Sequence, residues 1–437
     1  MTPVGQQYLR MWQGLVIGAT AFLLYVAADT VFGIFYIPSP YASHPERLQS
    51  PSYLNEPYFS EQFLTESFTQ PGGWITPDGT RLVLPKEYHG EFFNVDILEP
   101  TNLTYRRTIY PSLEGEGATT ILLLGGSTVY SSEVPDEYTI ASQLSAILTK
   151  WQGRRYTTIN AGVTSASSMQ EIERLKMELR AGLRPDVVIS FGGVNDVLQG
   201  VYFGNPDGVM FENSLRPPTV SENGLKTRLK ALMPERLLEI LRKVVAAVSA
   251  EHIYQALMAW RRNEGARETP GHMRDEERIR GLVQRTKVKY FENMLEGHTM
   301  AARGGFQYIA VVQPHIYSAQ YENDSVDIEL AAKLESRRRP LLDVAFNRAF
   351  PSLQETVHEL RDQGVAAYDC SKILLSKTGN IFFDSHHVNA TGNKLIACAL
   401  ASLVVERSES PAPDANGRFQ ECEKLLGGLA VCGRHGS

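Results

Sequence analysis

The chain has 437 residues, 43% of them hydrophobic and 21% charged, with 43 Lys and Arg against 49 Asp and Glu for a formal charge of -6. That is ordinary globular composition, long enough for one large domain or two to three smaller ones, and its acidic balance offers no general basic surface to a phosphate backbone, which excludes nucleic acid as an expected partner. The four cysteines, Cys370, Cys398, Cys422 and Cys432, form no CxxC pair, which excludes a zinc ribbon or a thioredoxin-like site.

Residues 12–37 are an almost uncharged apolar run, and about 20 such residues cross a bilayer core. Residues 11–37 are therefore expected as a transmembrane anchor, with residues 1–10, which carry Arg10, on the cytoplasmic side. The tripeptide VAA at 26–28 also fits a secretory cleavage site, so a removed signal peptide is the alternative. Either way the rest of the chain is expected outside the cytoplasm, periplasmic or extracellular, as a single-pass membrane protein or, after cleavage, a secreted one. Residues 38–117, rich in Pro, Ser, Tyr and Glu, read as an irregular extracytoplasmic segment.

Beyond residue 117 apolar runs alternate with helical periodicity. Strands are predicted at 119–124 (TTILLL), 156–159, 186–191 (DVVISF), 306–312 (FQYIAVV) and 365–368, with helices at 140–150, 169–181 and 389–405. Such alternation specifies an α/β fold with a parallel sheet covered on both faces. In these folds sites form beyond the carboxyl ends of the strands.

Three predicted strands end in small and polar residues: Gly125-Gly126-Ser127-Thr128, Asn160-Ala161-Gly162 and Gly192-Gly193-Val194-Asn195-Asp196. A fourth polar cluster, Asp384-Ser385-His386-His387, precedes the last helix. Together they hold what acyl transfer requires. Ser127 is the candidate nucleophile, His387 its base and Asp384 the acid that fixes the imidazole tautomer. The backbone N–H groups of Ser127 and Gly162 and the side-chain amide of Asn195 are candidate donors to a developing oxyanion, and Gly126 and Gly162 allow close backbone approach. His386 competes with His387 for the role of base, but only His387 stands three residues after the acid. Asp196 is expected to stabilise a turn, and Asp186 and Asp369 to be structural.

At these positions the sequence resembles the SGNH (GDSL-type) hydrolase family. The name-giving residues match Ser127, Gly162, Asn195 and His387, in the blocks GGST, AG, GGVND and DSHHVN, across residues 118–407. The resemblance implies a flavodoxin-like three-layer sandwich with a five-stranded parallel sheet, and an esterase, lipase or acetyl-ester hydrolase without metal or organic cofactor. An α/β-hydrolase elbow does not fit, because GGSTV lacks the second glycine of G-x-S-x-G. A phosphate-binding loop does not fit either, as no lysine follows.

About 110 residues separate Asp196 from the fourth strand, so a helical insertion is expected at about 200–300, with apolar positions from Leu225 to Val248 at near-helical spacing and basic residues between them. Arg337, Arg338 and Arg339 are expected on a solvated helix face or end. In the tail, 408–437, Cys422 and Cys432 are placed to pair outside the cytoplasm, whereas Cys370 and Cys398 are expected as buried apolar thiols. The leading functional expectation is a serine esterase removing acetyl or other small acyl groups from an exported or cell-surface glycan. The alternatives are an O-acetyltransferase using the same three residues and a non-catalytic, glycan-binding scaffold of an envelope assembly.

Overall fold

Alternating apolar and polar runs become strands and crossover helices, and a computed structural model describes residues 56–69, 74–77, 80–110, 117–207, 275–318, 343–374 and 380–407, with Cys422 and Cys432. These residues belong to one unit, 44–212 with 269–437. The expected anchor at 11–37, the amphipathic stretch from 225 to 248 and the arginines at 337–339 lie outside the described residues. Among the described residues no helix is long and apolar enough to cross a membrane.

The strands are β1 (Trp74–Ile75), β2 (Leu84–Pro85), β3 (Tyr88–His89), β4 (Asn94–Leu98), β5 (Leu103–Arg106), β6 (Thr119–Gly125), β7 (Tyr156–Asn160), β8 (Val187–Gly192), β9 (Gln307–Val312) and β10 (Ala366–Asp369). The five predicted strands are β6 to β10, and they run parallel in the order β7-β6-β8-β9-β10. That is the flavodoxin-type order. Every residue of β8 is buried, as is β6 from Ile121 onward, which is why both read as near-continuous apolar runs.

The sheet does not stop at five strands. Among the described residues it has eight and is mixed, in the order β10-β9-β8-β6-β7-β5-β4-β3. The segment 38–117 is therefore not irregular throughout: β3, β4 and β5 pair antiparallel with one another, and β5 joins β7 through Arg106 and Asn160. These strands have two to five residues and carry Asn94, Asp96 and Arg106. They lack the apolar continuity by which a central strand is recognised.

The helices are α1 (Glu61–Thr69), α2 (Ser127–Tyr130), α3 (Ile140–Gln152), α4 (Ser168–Arg180), α5 (Val194–Val197), α6 (Glu276–Gly304), α7 (Phe350–Asp362) and α8 (Ala390–Glu406). α3 packs on α8, and α6 packs on both α4 and α7. This places one group on each face of the sheet, as right-handed crossovers with this strand order require. Three of the long helices, α3, α6 and α8, begin at a residue whose side chain accepts their free amides. Thr139 Oγ1 receives Ser142 N at 3.2 Å, Asp275 Oδ1 receives Glu277 N and Arg278 N at 3.1 Å each, and Asn389 Oδ1 receives Gly392 N at 3.0 Å. At the end of the stretch expected as an insertion, α6 is the crossover from β8 to β9. Its buried residues, Ile279, Leu282, Thr286, Tyr290, Met294, Gly297 and Ala301, recur every three or four positions along one stripe.

The cysteine expectation is overturned. The disulfides are Cys370–Cys432 and Cys398–Cys422, so each tail cysteine pairs with a core element and not with the other. Cys370 directly follows β10 and Cys398 lies within α8, and both are fully buried. The bonds close sequence separations of 62 and 24 residues, which corresponds to about 3 to 4 kcal/mol each in the loop-entropy model. Two buried disulfides fit an oxidising, extracytoplasmic compartment.

Candidate active site

The carboxyl end of β6 turns directly into α2, with Ser127 at its first position. Space there is set by two glycines. A Cβ on Gly126 would collide with Nδ2 of Asn195, and one on Gly162 with the backbone of Tyr130 in α2. Asn160, at the end of β7, donates from Nδ2 to Val129 O at 2.9 Å and fixes α2 against the second strand end.

Ser127 and His387 are 260 positions apart in sequence, yet Ser127 Oγ lies 2.7 Å from His387 Nε2. The other ring nitrogen, Nδ1, stands 2.8 Å from both carboxylate oxygens of Asp384. The loop that carries them is closed on itself: Phe383 N donates to His387 O at 2.9 Å and Asn389 N to Ile381 O at 2.9 Å. Asp384 Oδ1 also accepts the amides of His386 at 3.0 Å and His387 at 2.9 Å. The loop is moored to the strand ends as well, since Ile316 N, beyond β9, donates to Ser385 O at 2.8 Å. Ser127 and His387 are both buried.

His386 does not meet the serine. Its Nδ1 is 2.9 Å from Ser385 Oγ, and its ring lies against that of His387 with centroids 4.1 Å apart. Asp384, His386 and His387 offer three potential ligand atoms within 4.8 Å of one another. However, both nitrogens of His387 already face Asp384 and Ser127.

The three expected oxyanion donors are differently disposed. Asn195 lies over Gly126, beside Ser127, and its Nδ2 spends one N–H on Ala166 O at 2.9 Å. An amide nitrogen carries two hydrogens, so a second remains. The Gly162 amide donates to Asn160 Oδ1 at 3.1 Å. Its glycine identity is accounted for by the approach of Tyr130.

Several residues around the site carried no signal in the sequence. Glu133 is buried, with Oε1 3.7 Å from His387 Nε2. Arg106, fully buried, makes an ion pair with Asp136, donates from Nη2 to Val134 O at 2.9 Å and stacks over the Phe93 ring at 3.7 Å. Asp136 also accepts Asn94 N at 3.1 Å and Asn94 Nδ2 at 2.7 Å. The turn that follows α2 is thus tied to β4 and β5. A buried arginine or glutamate has no pattern of its own, and only the distant partner makes it legible.

Asp196 accepts Ser168 N at 3.1 Å and the Ser168 hydroxyl, linking α5 to the first turn of α4. Beside it Glu171 accepts the Ser190 hydroxyl. Burial, reinforced by the charge of Asp196, pushes Glu171 from 4.5 up to about 8, and burial pushes Asp196 from 3.8 up to about 6 despite its hydrogen bonds to Ser168. A folded pKa above the unfolded one means that Glu171's contribution is complete below about 4.5 and is lost as pH rises through about 8. Glu171→Gln, which never ionises, is expected to be more stable than the wild type by on the order of 1–3 kcal/mol at pH 8. Little difference is expected at pH 4.5. Urea midpoints across that range are the check, and a gap that does not widen with pH would sink the assignment.

No family model matches the sequence, and no curated protein matches it. Solved structures of esterases of the SGNH and GDSL type do resemble the chain at low identity. An acetyl xylan esterase is 13% identical over 65% of this chain and 100% of its own, with a TM-score of 0.34. A member of the lipolytic G-D-S-L family from Veillonella parvula is 10% identical over 67% and 100%, TM-score 0.35. An acetylxylan esterase from Geobacillus stearothermophilus is 12% identical over 66% and 94%, TM-score 0.33. Likeness at this level leaves the chemistry to be decided by the side chains.

Proposed function

We propose that the chain is a serine esterase of the SGNH type that hydrolyses acyl esters, with an acetylated exported or cell-surface glycan as the expected substrate class. The observation that carries this reading is the unbroken relay from Asp384 through His387 to Ser127 Oγ, with contacts of 2.8 and 2.7 Å. In the first half-reaction Ser127 Oγ attacks the ester carbonyl carbon as its proton passes to His387 Nε2. Asp384, held by two amides, keeps Nδ1 protonated and stabilises the imidazolium. The oxyanion is met by the Ser127 amide and the second N–H of Asn195 Nδ2, with the Gly162 amide available only if it leaves Asn160. The imidazolium then protonates the departing alcohol.

A fluorophosphonate probe tests this directly. One equivalent is expected to attach to Ser127, located by peptide mapping, and His387→Ala is expected to slow labelling by at least about 100-fold. Folded protein that takes up no label would favour the glycan-binding scaffold instead.

A further inference from the structure

Glu133 has no part in the relay, yet it stands at the atom where the relay ends. Ser131, immediately after α2, adopts a left-handed conformation with φ 56°. Its hydroxyl donates back to Thr128 O at 2.8 Å, and Val134 N closes the turn on Ser131 O at 3.4 Å. Arg106 clamps the far side of that turn through Val134 O. The result is a buried side chain with Oε1 3.7 Å from His387 Nε2, the nitrogen that meets Ser127 Oγ at 2.7 Å. Asp384 faces Nδ1. The imidazole therefore lies between two acidic groups, one at each nitrogen, with the His386 ring against its face.

The second carboxylate matters in the second half-reaction. Once Ser127 Oγ is esterified it has no proton to give, and Nε2 has to draw one from the incoming nucleophile. An oxygen about 2.8 Å from Nε2 can also lie at hydrogen-bond distance from Oε1, because the two atoms are only 3.7 Å apart. A carboxylate only accepts. Water has two O–H groups and satisfies both positions at once. A monohydric alcohol has one, must aim it at Nε2, and then presents lone pairs to Oε1.

We propose that Glu133 orients the hydrolytic water and disfavours alcohol acceptors, which makes this centre a hydrolase and not an acyltransferase. The proposal rests on Ser127 being the acylated nucleophile. In the step itself the water oxygen bonds to the acyl carbon, one water proton moves to Nε2, and the carbonyl electron pair moves onto the oxyanion. The other proton stays on oxygen, hydrogen-bonded to Glu133. Collapse returns the pair, breaks the bond from carbon to Ser127 Oγ, and delivers the Nε2 proton to Oγ, releasing the carboxylic acid.

The experiment is product partitioning. p-Nitrophenyl acetate is turned over in the presence of methanol, and methyl acetate and acetate are both quantified. Their ratio depends only on the fate of the acyl-enzyme. The wild type is expected to yield mainly acetate. E133Q, whose amide can donate to an alcohol oxygen, is expected to raise the ratio of methyl acetate to acetate roughly tenfold or more. E133D, which draws the carboxylate back from Nε2, should raise it to a smaller extent and carries the test if the glutamine variant does not fold. Fluorophosphonate labelling of Ser127 verifies that the site is assembled in each variant. Unchanged ratios in labelled variants, or methyl acetate as the main wild-type product, would overturn the role of Glu133 while leaving the relay intact. Full turnover by Ser127→Ala would instead remove the relay itself.

Discussion

Ser127→Ala is expected to lower kcat/KM for p-nitrophenyl acetate by about 10⁴-fold or more, with no loss of stability. The substitution removes a single oxygen from a buried position where it meets His387 Nε2 at 2.7 Å. The histidine keeps its orientation, because Asp384 holds Nδ1 and the loop is closed by its own backbone bonds. What residual rate survives would come from donors and base acting on water. His387→Ala should cost about as much, and the double variant no more than either, because residues that act as one unit do not add. Initial rates and thermal unfolding on the same preparations check both halves. Undiminished turnover would remove Ser127 as nucleophile.

Arg106→Met is expected to destabilise the protein by about 3–5 kcal/mol, since it strands a buried carboxylate at Asp136 and leaves Val134 O without its donor. Methionine fills part of the volume beside Phe93 but supplies no hydrogen. If the loss stems from the stranded charge, Asp136→Asn in the same background should recover a share of it, because an amide can stay bonded to Asn94 at lower desolvation cost. Guanidinium denaturation of the four members of this cycle gives the coupling. The same variant should slow ester turnover, as Val134 adjoins Glu133 in the turn that Arg106 clamps. Additive behaviour would show the two residues to be energetically independent.

The sheet centre was legible in the sequence, and so were the residues that gather at its carboxyl edge, for separate reasons. β6 and β8 are buried on both faces and announce themselves as apolar runs, and each ends where glycine and a polar residue are needed together. Ser127, Asn195 and His387 could be singled out because four short polar blocks, each ordinary turn chemistry alone, together supply a hydroxyl, an imidazole, an acid and amide donors in one order along the chain. Glu133 could not, because nothing in SSEVPD distinguishes a carboxylate folded back over an imidazole from one in an ordinary surface turn. β4 and β5 were missed because NVDIL and LTYR place buried polar residues where a pattern reader expects apolar ones, and their burial is explained only by Asp136 and Glu178 across the fold. The cysteine pairing failed for a combinatorial reason. Four thiols allow three connectivities, and proximity along the chain favoured the wrong one.

The antiparallel extension also changes how the molecule meets its neighbours in solution. In a bare five-stranded arrangement β7 would be a rim, offering a row of open peptide groups to any passing strand. Here β5 meets that rim at one residue pair, Arg106 with Asn160, and the margin beyond it is β3, two residues long and flanked by Lys86, Glu87 and Gly90. A margin so short and charged gives an approaching chain almost nothing to template on. The strands that brace the turn after Ser127 thereby also replace part of one sheet margin with a shorter, charged one.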